Sequence, residues 1–234
     1  MKSAPGTDPP GLILASASPR RAALLRRMGF DITVVAKEID ETFDPQEDPA
    51  RTAVRLSGLK AEAALSEAEA ALQAAVAAQS DPTGVLVVGA DTVVVLEGEL
   101  LGKPESRAEA AWMLNRLSGR THEVFTGFTL IDAGTGRRVS GVERTAVTFR
   151  RLEAWEIDDY VSTGMPMDKA GAYGIQDRSG LFVDRIDGCF YNVVGFPLTR
   201  FYEGLKKLVG PESVRGMVSP DRVRASSSED GITV

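Results

Sequence analysis

The sequence is poor in the two side chains that carry most metal and redox chemistry. Its 234 residues include one cysteine, Cys189, and one histidine, His122. A single thiol excludes an internal disulfide and a thiolate-held cluster. A single imidazole excludes every metal site that needs two. The metal chemistry left open is that of a hard cation held by oxygen, such as Mg²⁺ or Mn²⁺. Long apolar runs are missing too. No stretch nears the ~18 apolar residues that cross a bilayer, and the opening MKSAPGTDPPG lacks the apolar core of a signal peptide. Few thiols and no leader together predict a cytoplasmic protein. Positive charge is in deficit, with 27 Lys and Arg against 33 Asp and Glu and a formal net charge of −6. That balance speaks against nucleic acid or an anionic membrane as a partner.

A chain of this length buries an adequate core without covalent staples, and one folded unit accounts for it. Residues 1–11 read as a disordered extension, 12–210 as a single domain, and 211–234, mixing Pro, Gly, Ser and charge, as a flexible tail. Within the domain, strand and helix signals alternate. LILA at 12–15 has the look of a buried strand, and Ser18-Pro19 supplies an N-cap and a first-turn proline for a helix stopped at Gly29. Residues 52–78 predict one long Ala-rich helix with Leu56, Leu59, Ala63 and Ala64 on its apolar face, ended by DPTG at 81–84. Residues 85–96 predict a Val-rich strand that turns at EGE into 100–104. Ser106 and Glu109 form a capping box for a helix running to Leu117. Residues 122–131 and 142–149 predict an antiparallel pair, followed by a helix over 152–162, a Gly-rich segment over 170–175, a strand over 181–186 and a last helix over 197–208. Local pairing of the middle strands points to an α/β fold with a mixed sheet, not a purely parallel doubly wound one.

Four segments are candidates for chemistry. Ser16-Ala-Ser18-Pro-Arg20-Arg21 joins a strand to a helix N-terminus, where free N–H groups and the helix dipole favour an anion. Guanidinium groups there can grip phosphate oxygens in pairs. A capped surface helix with solvated arginines gives the same pattern. Asp91 lies inside VLVVGADTVVVL, where a carboxylate is costly unless it has a partner or a task. It can hold a hard metal or take a proton from water, or it can cap a turn at a strand break after Gly89. Glu38, Asp40 and Glu41 form an acidic cluster, while Lys60 and Lys103 stand elsewhere in the chain. Taken singly, each is a solvated surface charge. DKAGAYGIQ at 168–176 has closely spaced glycines that permit close backbone approach to a ligand; its other reading is a mobile surface loop. His122 is read as a structural or surface histidine, Cys189 as a small core residue, and Trp112, Met113 and Leu117 as the core face of a helix.

In order, LILASASPRRAALLRRMGF, EIDE, VRLSGLKA, GADTVVVLEGELLGKP, EAAWMLNRLSG, HEVFTGFTL and DKAGAYGIQ with NVVGFPL resemble the Maf family of nucleoside triphosphate pyrophosphatases, from Leu12 to about Leu208. The resemblance implies hydrolysis of a nucleoside triphosphate to the monophosphate and pyrophosphate with a divalent metal. It also implies an elongated mixed sheet flanked by helices, two lobes around a central cleft, kinship with the inosine triphosphate pyrophosphatases, and a homodimer. By the same resemblance Asp91 is the catalytic aspartate and, with Glu41, a metal ligand. Ser16, Ser18, Arg21, Lys60 and Lys103 hold the triphosphate. Arg20, Thr92 and Gln176 stand where branches of the family differ in base preference, and they match the branch acting on dTTP and UTP. The branch acting on 7-methyl-GTP carries an aromatic residue, Gln and Glu there. Gly188-Cys189-Phe190 departs from the family's usual Gly-Ser-Tyr. Two other readings are a non-catalytic nucleotide-binding regulator of cell division and a house-cleaning enzyme for purine triphosphates.

Overall fold

The computed structural model describes residues 10–44, 46–77 and 84–218. Its spine is β3 (Val85–Leu96), buried along nearly its whole length. A run this apolar is stable as a strand only when both of its faces are covered. β1 (Gly11–Ala15) pairs parallel with β3 on one side, and β2 (Ile32–Val34) pairs parallel with β1. On the other side β5 (Thr121–Asp132), β6 (Arg138–Phe149) and β7 (Val183–Asp187) follow as antiparallel neighbours. The short β4 (Glu99–Leu101) folds back on the end of β3. The result is one seven-stranded mixed sheet in the order β2-β1-β3-β5-β6-β7, the class that the locally paired middle strands predict.

Helices cover both faces. α1 (Pro19–Arg27), α7 (Leu198–Val209) and α8 (Pro211–Met217) share one core with β1 and β3, built on Leu14, Leu25, Leu86, Phe128, Phe196 and Phe201. α4 (Arg107–Leu117) and α5 (Ala154–Ser162) share a second with the far end of β3 and with β5 and β6. α2 (Pro49–Ala63) lies across β3 and β5. Ser57 Oγ is 2.9 Å from Thr129 Oγ1 on β5, and Thr129 Oγ1 is 2.9 Å from Ser140 Oγ on β6, a hydroxyl chain that registers the helix on the sheet.

Several expectations change. The Ala-rich stretch forms two helices, α2 and α3 (Leu65–Ala77), separated at Ala64. The Ala64 N–H bonds to Ala61 O at 3.2 Å, a tight closing turn that ends α2. Alanine favours helix equally on both sides of such a joint, so propensity cannot locate it. Residues 211–217, expected in the tail, form α8, whose Val214 and Met217 are buried in the first core. Gly11, expected in the extension, opens β1, and its N–H bonds to Gly84 O at 3.1 Å. Trp112 is not a core residue: it is about half exposed, with the Arg116 guanidinium over its ring, while Met113 and Leu117 are buried. Cys189 is half-buried at the start of α6 (Phe190–Val194), not in a core. Glu109 closes the first turn of α4 by accepting from Glu105 N, while Ser106 Oγ accepts from Glu109 N. Residues 1–9, most of the DPTG stop and residues 219–234 lie outside the described residues.

His122 is buried in the second core. Its Nε2 is 2.8 Å from the Tyr173 hydroxyl, and its ring meets those of Phe149 and Tyr173 edge to face. Its Nδ1 is buried without a hydrogen-bond partner among the described residues. Burial lowers the imidazole pKa from 6.5 to about 4. The neutral form is therefore the folded form, and the stability it carries above pH 6.5 is lost as pH falls towards 4. At 1.36 kcal/mol per pH unit, the loss approaches about 3 kcal/mol. In urea titrations from pH 7 to pH 4, His122→Leu is expected to flatten the fall in stability by that order; parallel curves for the two proteins would refute the assignment.

Candidate active site

The β1–α1 turn, the middle of β3 and the 165–177 segment enclose a cavity of about 290 Å³. Ser16, Ser18, Arg20, Arg21, Glu41, Lys60, Asp91, Thr92, Lys103 and Gln176 all line it, whereas Glu38 and Asp40 of the acidic cluster do not. β1 ends at Ala15 and α1 begins at Pro19, so the turn between them delivers the helix N-terminus to the cavity. Ser18 is the N-cap, yet its side chain makes no capping bond. Its backbone N–H is taken by Ser16 Oγ at 3.2 Å instead.

Asp91 follows Gly89 in an unbroken ladder, with Gly89 opposite Thr129 and Asp91 opposite Gly127. The alternative of a strand break after Gly89 therefore falls. The carboxylate is buried, and its partner arrives from α2: Lys60 Nζ donates to Asp91 Oδ1 at 2.5 Å and lies 2.7 Å from Glu41 Oε1. One ammonium thus gathers two carboxylates that are 50 residues apart in sequence. Lys103 Nζ sits 3.7 Å from the other oxygen of Glu41 and is largely exposed. Burial pushes the Glu41 carboxyl up, but Lys60 and then Lys103 outweigh it, so it titrates below its ordinary value.

Arg21 is the unexpected member. The expectation is a phosphate-gripping side chain; the structure has its guanidinium buried and largely committed. Nε donates to Gly195 O at 2.7 Å, Nη1 to Ser16 Oγ at 3.0 Å and Nη2 to Thr92 Oγ1 at 3.0 Å. All three acceptors are neutral, and no carboxylate lies within ion-pair distance among the described residues. Burial lowers its pKa, and the nearby Asp91 charge opposes that. The Gly195 carbonyl reaches Arg21 because Gly195 ends α6 at a φ of 110°, where side chains are strained. Thr92 is drawn into the same network. Thr126 Oγ1 donates to Asn192 O at 3.0 Å, so the 2.9 Å bond between the two threonines is donated by Thr92. With Arg21 donating to it, the Thr92 hydroxyl orients the arginine, which is a different task from the base contact that the resemblance implies.

Arg20 points the other way, and its Nη1 donates to Asp168 Oδ2 at 2.8 Å. Within the 168–176 segment Gly171, Ala172 and Tyr173 are buried, against the reading of it as a surface loop. Lys37, Lys169, Tyr173 and Gly195 also line the cavity; the last three lie in the DKAGAYGIQ and NVVGFPL segments without a role assigned to them from the sequence. A glycine-rich motif carries the signal for Lys169 and Tyr173. For Lys37, which pairs with Glu67 on α3, no sequence signal exists beyond its nearness to the acidic cluster.

The donor set bears on the metal. Among the described residues no group of three or more His, Cys, Asp and Glu side chains is arranged to hold an ion. Two carboxylates, Glu41 and Asp91, converge in the cavity. That set fits a hard divalent cation whose remaining ligands are waters and substrate oxygens. Among the described residues no helix is long and apolar enough to cross a membrane.

Comparison with known proteins gives the same direction. A family model described as Maf-like protein matches residues 11–208. The dTTP/UTP pyrophosphatase of Moorella thermoacetica is 48% identical over 192 residues, which is 82% of this chain and 92% of that protein. The dTTP/UTP pyrophosphatase of Symbiobacterium thermophilum is 45% identical over 200 residues, 86% of this chain and 95% of that protein. Among solved structures, a nucleoside-triphosphatase/dITP/XTP pyrophosphatase from Mycobacterium abscessus is similar over 61% of this chain and 75% of that chain, at 16% identity and a TM-score of 0.34.

Proposed function

The chain belongs to the Maf-like family, and from that membership and the chemistry of its cleft we propose that it hydrolyses dTTP and UTP to the monophosphate and pyrophosphate. The observation that carries the reading is the convergence of Asp91, Glu41 and Lys60 beside the open N-terminus of α1. Relatives named dTTP/UTP pyrophosphatase support the choice of substrate. We infer a cytoplasmic location, which a nucleoside triphosphate substrate supports.

The triphosphate lies over the N-terminus of α1, where the backbone N–H groups and the helix dipole favour its charge. Ser16, Ser18, Lys60 and Lys103 hold its oxygens, and the buried Arg21 charge faces it without a carboxylate to cancel it. Asp91 takes the proton of a water that attacks the α-phosphorus. The bond from that phosphorus to the bridging oxygen breaks, and pyrophosphate leaves. Glu41 and Asp91 would hold a Mg²⁺ or Mn²⁺ ion, which supplies neutralisation of phosphate charge when bound. Arg20 and Gln176 read the base, and Thr92 contributes by orienting Arg21.

The test is pyrophosphate release by the full chain from dTTP, UTP, ITP and 7-methyl-GTP, with Mg²⁺ and with Mn²⁺. Release from dTTP and UTP is expected to exceed the others by at least tenfold in kcat/KM. Preference for a purine nucleotide overturns the substrate. Nucleotide binding without release overturns the enzyme in favour of a regulator. Sedimentation of the same preparation decides the homodimer.

A further inference from the structure

The arginine and the glutamine read as base contacts come from distant parts of the chain, and one buried lysine stands between them. Lys169 is nine-tenths buried and lines the cavity. Its Nζ donates to Met165 O and, at 2.6 Å, to Asp168 Oδ1, and it lies 3.5 Å from Asp177 Oδ2. The other oxygen of Asp168 accepts from Arg20, 148 residues away. Asp177 is fixed in turn: it accepts from the Tyr160 hydroxyl at 3.1 Å, from Ser179 N at 2.9 Å and, at 2.7 Å, faces Ser179 Oγ. Ser179 Oγ also accepts from Gly174 N at 2.9 Å. Gln176 is carried between Gly174 and Asp177, the two residues that this network pins. The lysine stem packs on the same segment, because a side chain at Gly174 would stand 2.7 Å from Lys169 Cε.

We propose that Lys169 is a positioning residue for base selection: through Asp168 it sets Arg20, and through Asp177 and Gly174 it sets Gln176. The proposal rests on the reading of Arg20 and Gln176 as base contacts. Asp168 is more than half exposed, and an exposed ion pair by itself contributes little stability. What gives this pair a fixed geometry is its buried neighbour. A desolvated ammonium requires its carboxylates and carbonyl in place, so Asp168 cannot follow solvent, and neither can the guanidinium it holds. Lys169 spends its donors inside the network, so its effect on the nucleotide passes through Arg20 and Gln176.

The experiment compares Lys169→Met and Asp168→Asn with the wild type in steady-state hydrolysis of dTTP and ITP, with melting temperature followed in parallel. Misplacing a contact group by about 1 Å costs up to about 10²-fold. For Lys169→Met, kcat/KM on dTTP is expected to fall by about 10–100-fold, more through KM than through kcat, while ITP changes several-fold less. A merely structural lysine would lower both nucleotides in equal proportion. Asp168→Asn, at an exposed position, keeps the question open to measurement if Lys169→Met does not fold. It is expected to raise KM for dTTP and to be non-additive with Arg20→Ala, because it acts through that arginine. Arg20→Ala and Gln176→Ala separate the two levels. If neither alters the preference for dTTP, the base-reading roles fall and the proposal with them. If they alter it while Lys169→Met and Asp168→Asn leave it at the wild-type ratio, the proposal alone is overturned.

Discussion

Asp91→Asn is expected to lower kcat for dTTP by about 10²–10⁴-fold, the usual loss when a general base is removed, with a small change in melting temperature. The two halves of that expectation have different origins. Asparagine matches aspartate in shape and keeps an oxygen that accepts from Lys60 Nζ, so the β3 ladder and the helix above it have no reason to move. Lys60 also retains Glu41, 2.7 Å away, so its charge is not stranded. What is lost is the carboxylate itself, and with it both the proton acceptor and half of the pair that would hold a divalent ion. Removing a partner from a buried ion pair ordinarily destabilises by about 3–5 kcal/mol; here the shared ammonium spares the fold most of that. Pyrophosphate release at saturating dTTP measures the first half and thermal unfolding the second. Turnover close to wild type would remove Asp91 from the chemistry. A large fall in melting temperature would mean that Glu41 does not compensate.

That site was legible in the sequence to the extent that single residues broke their local pattern. Asp91 was visible because a carboxylate inside a run of valines needs a reason. The β1–α1 turn is visible because Ser is a favoured N-cap and Pro a favoured first helical residue. The order of strands and helices followed from periodicity, which is local. The sequence did not show who meets whom. Arg20 and Asp168 pair across 148 residues, and no spacing rule reaches that far. Arg21 and Thr92 stand out as positions in the sequence, but their partners, the Gly195 carbonyl and the Ser16 and Thr126 hydroxyls, do not. Arginine at a helix N-terminus is as suited to phosphate as to a carbonyl and two hydroxyls, and only the fold brings the Gly195 carbonyl to it. The joint at Ala64 and the helix at 211–217 were missed for a related reason. Composition measures propensity, whereas both are decided by burial, of Ala64 and Ala68 in one case and of Val214 and Met217 in the other.

Gly89→Ala is expected to damage both stability and activity, because this glycine sets the distance between the two halves of the Lys60–Asp91 pair. A methyl group at Gly89 would stand 2.7 Å from Ala61 N and 3.1 Å from Ala61 Cβ, and would press on the Ser57 carbonyl oxygen. These are mostly backbone atoms of α2, and no rotamer change relieves them. Gly127 meets the same helix one strand over, where a Cβ would lie 2.6 Å from Val54 N. α2 therefore rests directly on the backbone of β3 and β5, which is how Lys60, between Ser57 and Ala61, reaches a strand residue at 2.5 Å. Forcing a methyl group into a packed core costs about 1–3 kcal/mol, more where backbone must shift. For a domain of this size that is a fall of about 2–4 °C in Tm per kcal/mol. A lift of α2 by about 1 Å also withdraws Lys60 from Asp91, and a misplacement of that size costs up to about 10²-fold in kcat/KM. Gly58→Ala is the control. It lies on the same helix, but its Cβ would meet only Thr129 Oγ1 at 3.8 Å. There the usual gain from replacing a helix glycine, about 0.5–1 kcal/mol, is expected to raise Tm. The two substitutions add the same methyl group on the two sides of one interface and are expected to move Tm in opposite directions. If Gly89→Ala melts and turns over like the wild type, contact between helix and strand backbone does not position Lys60. If Gly58→Ala falls as far as Gly89→Ala, the cost belongs to glycine replacement in general and not to the close approach.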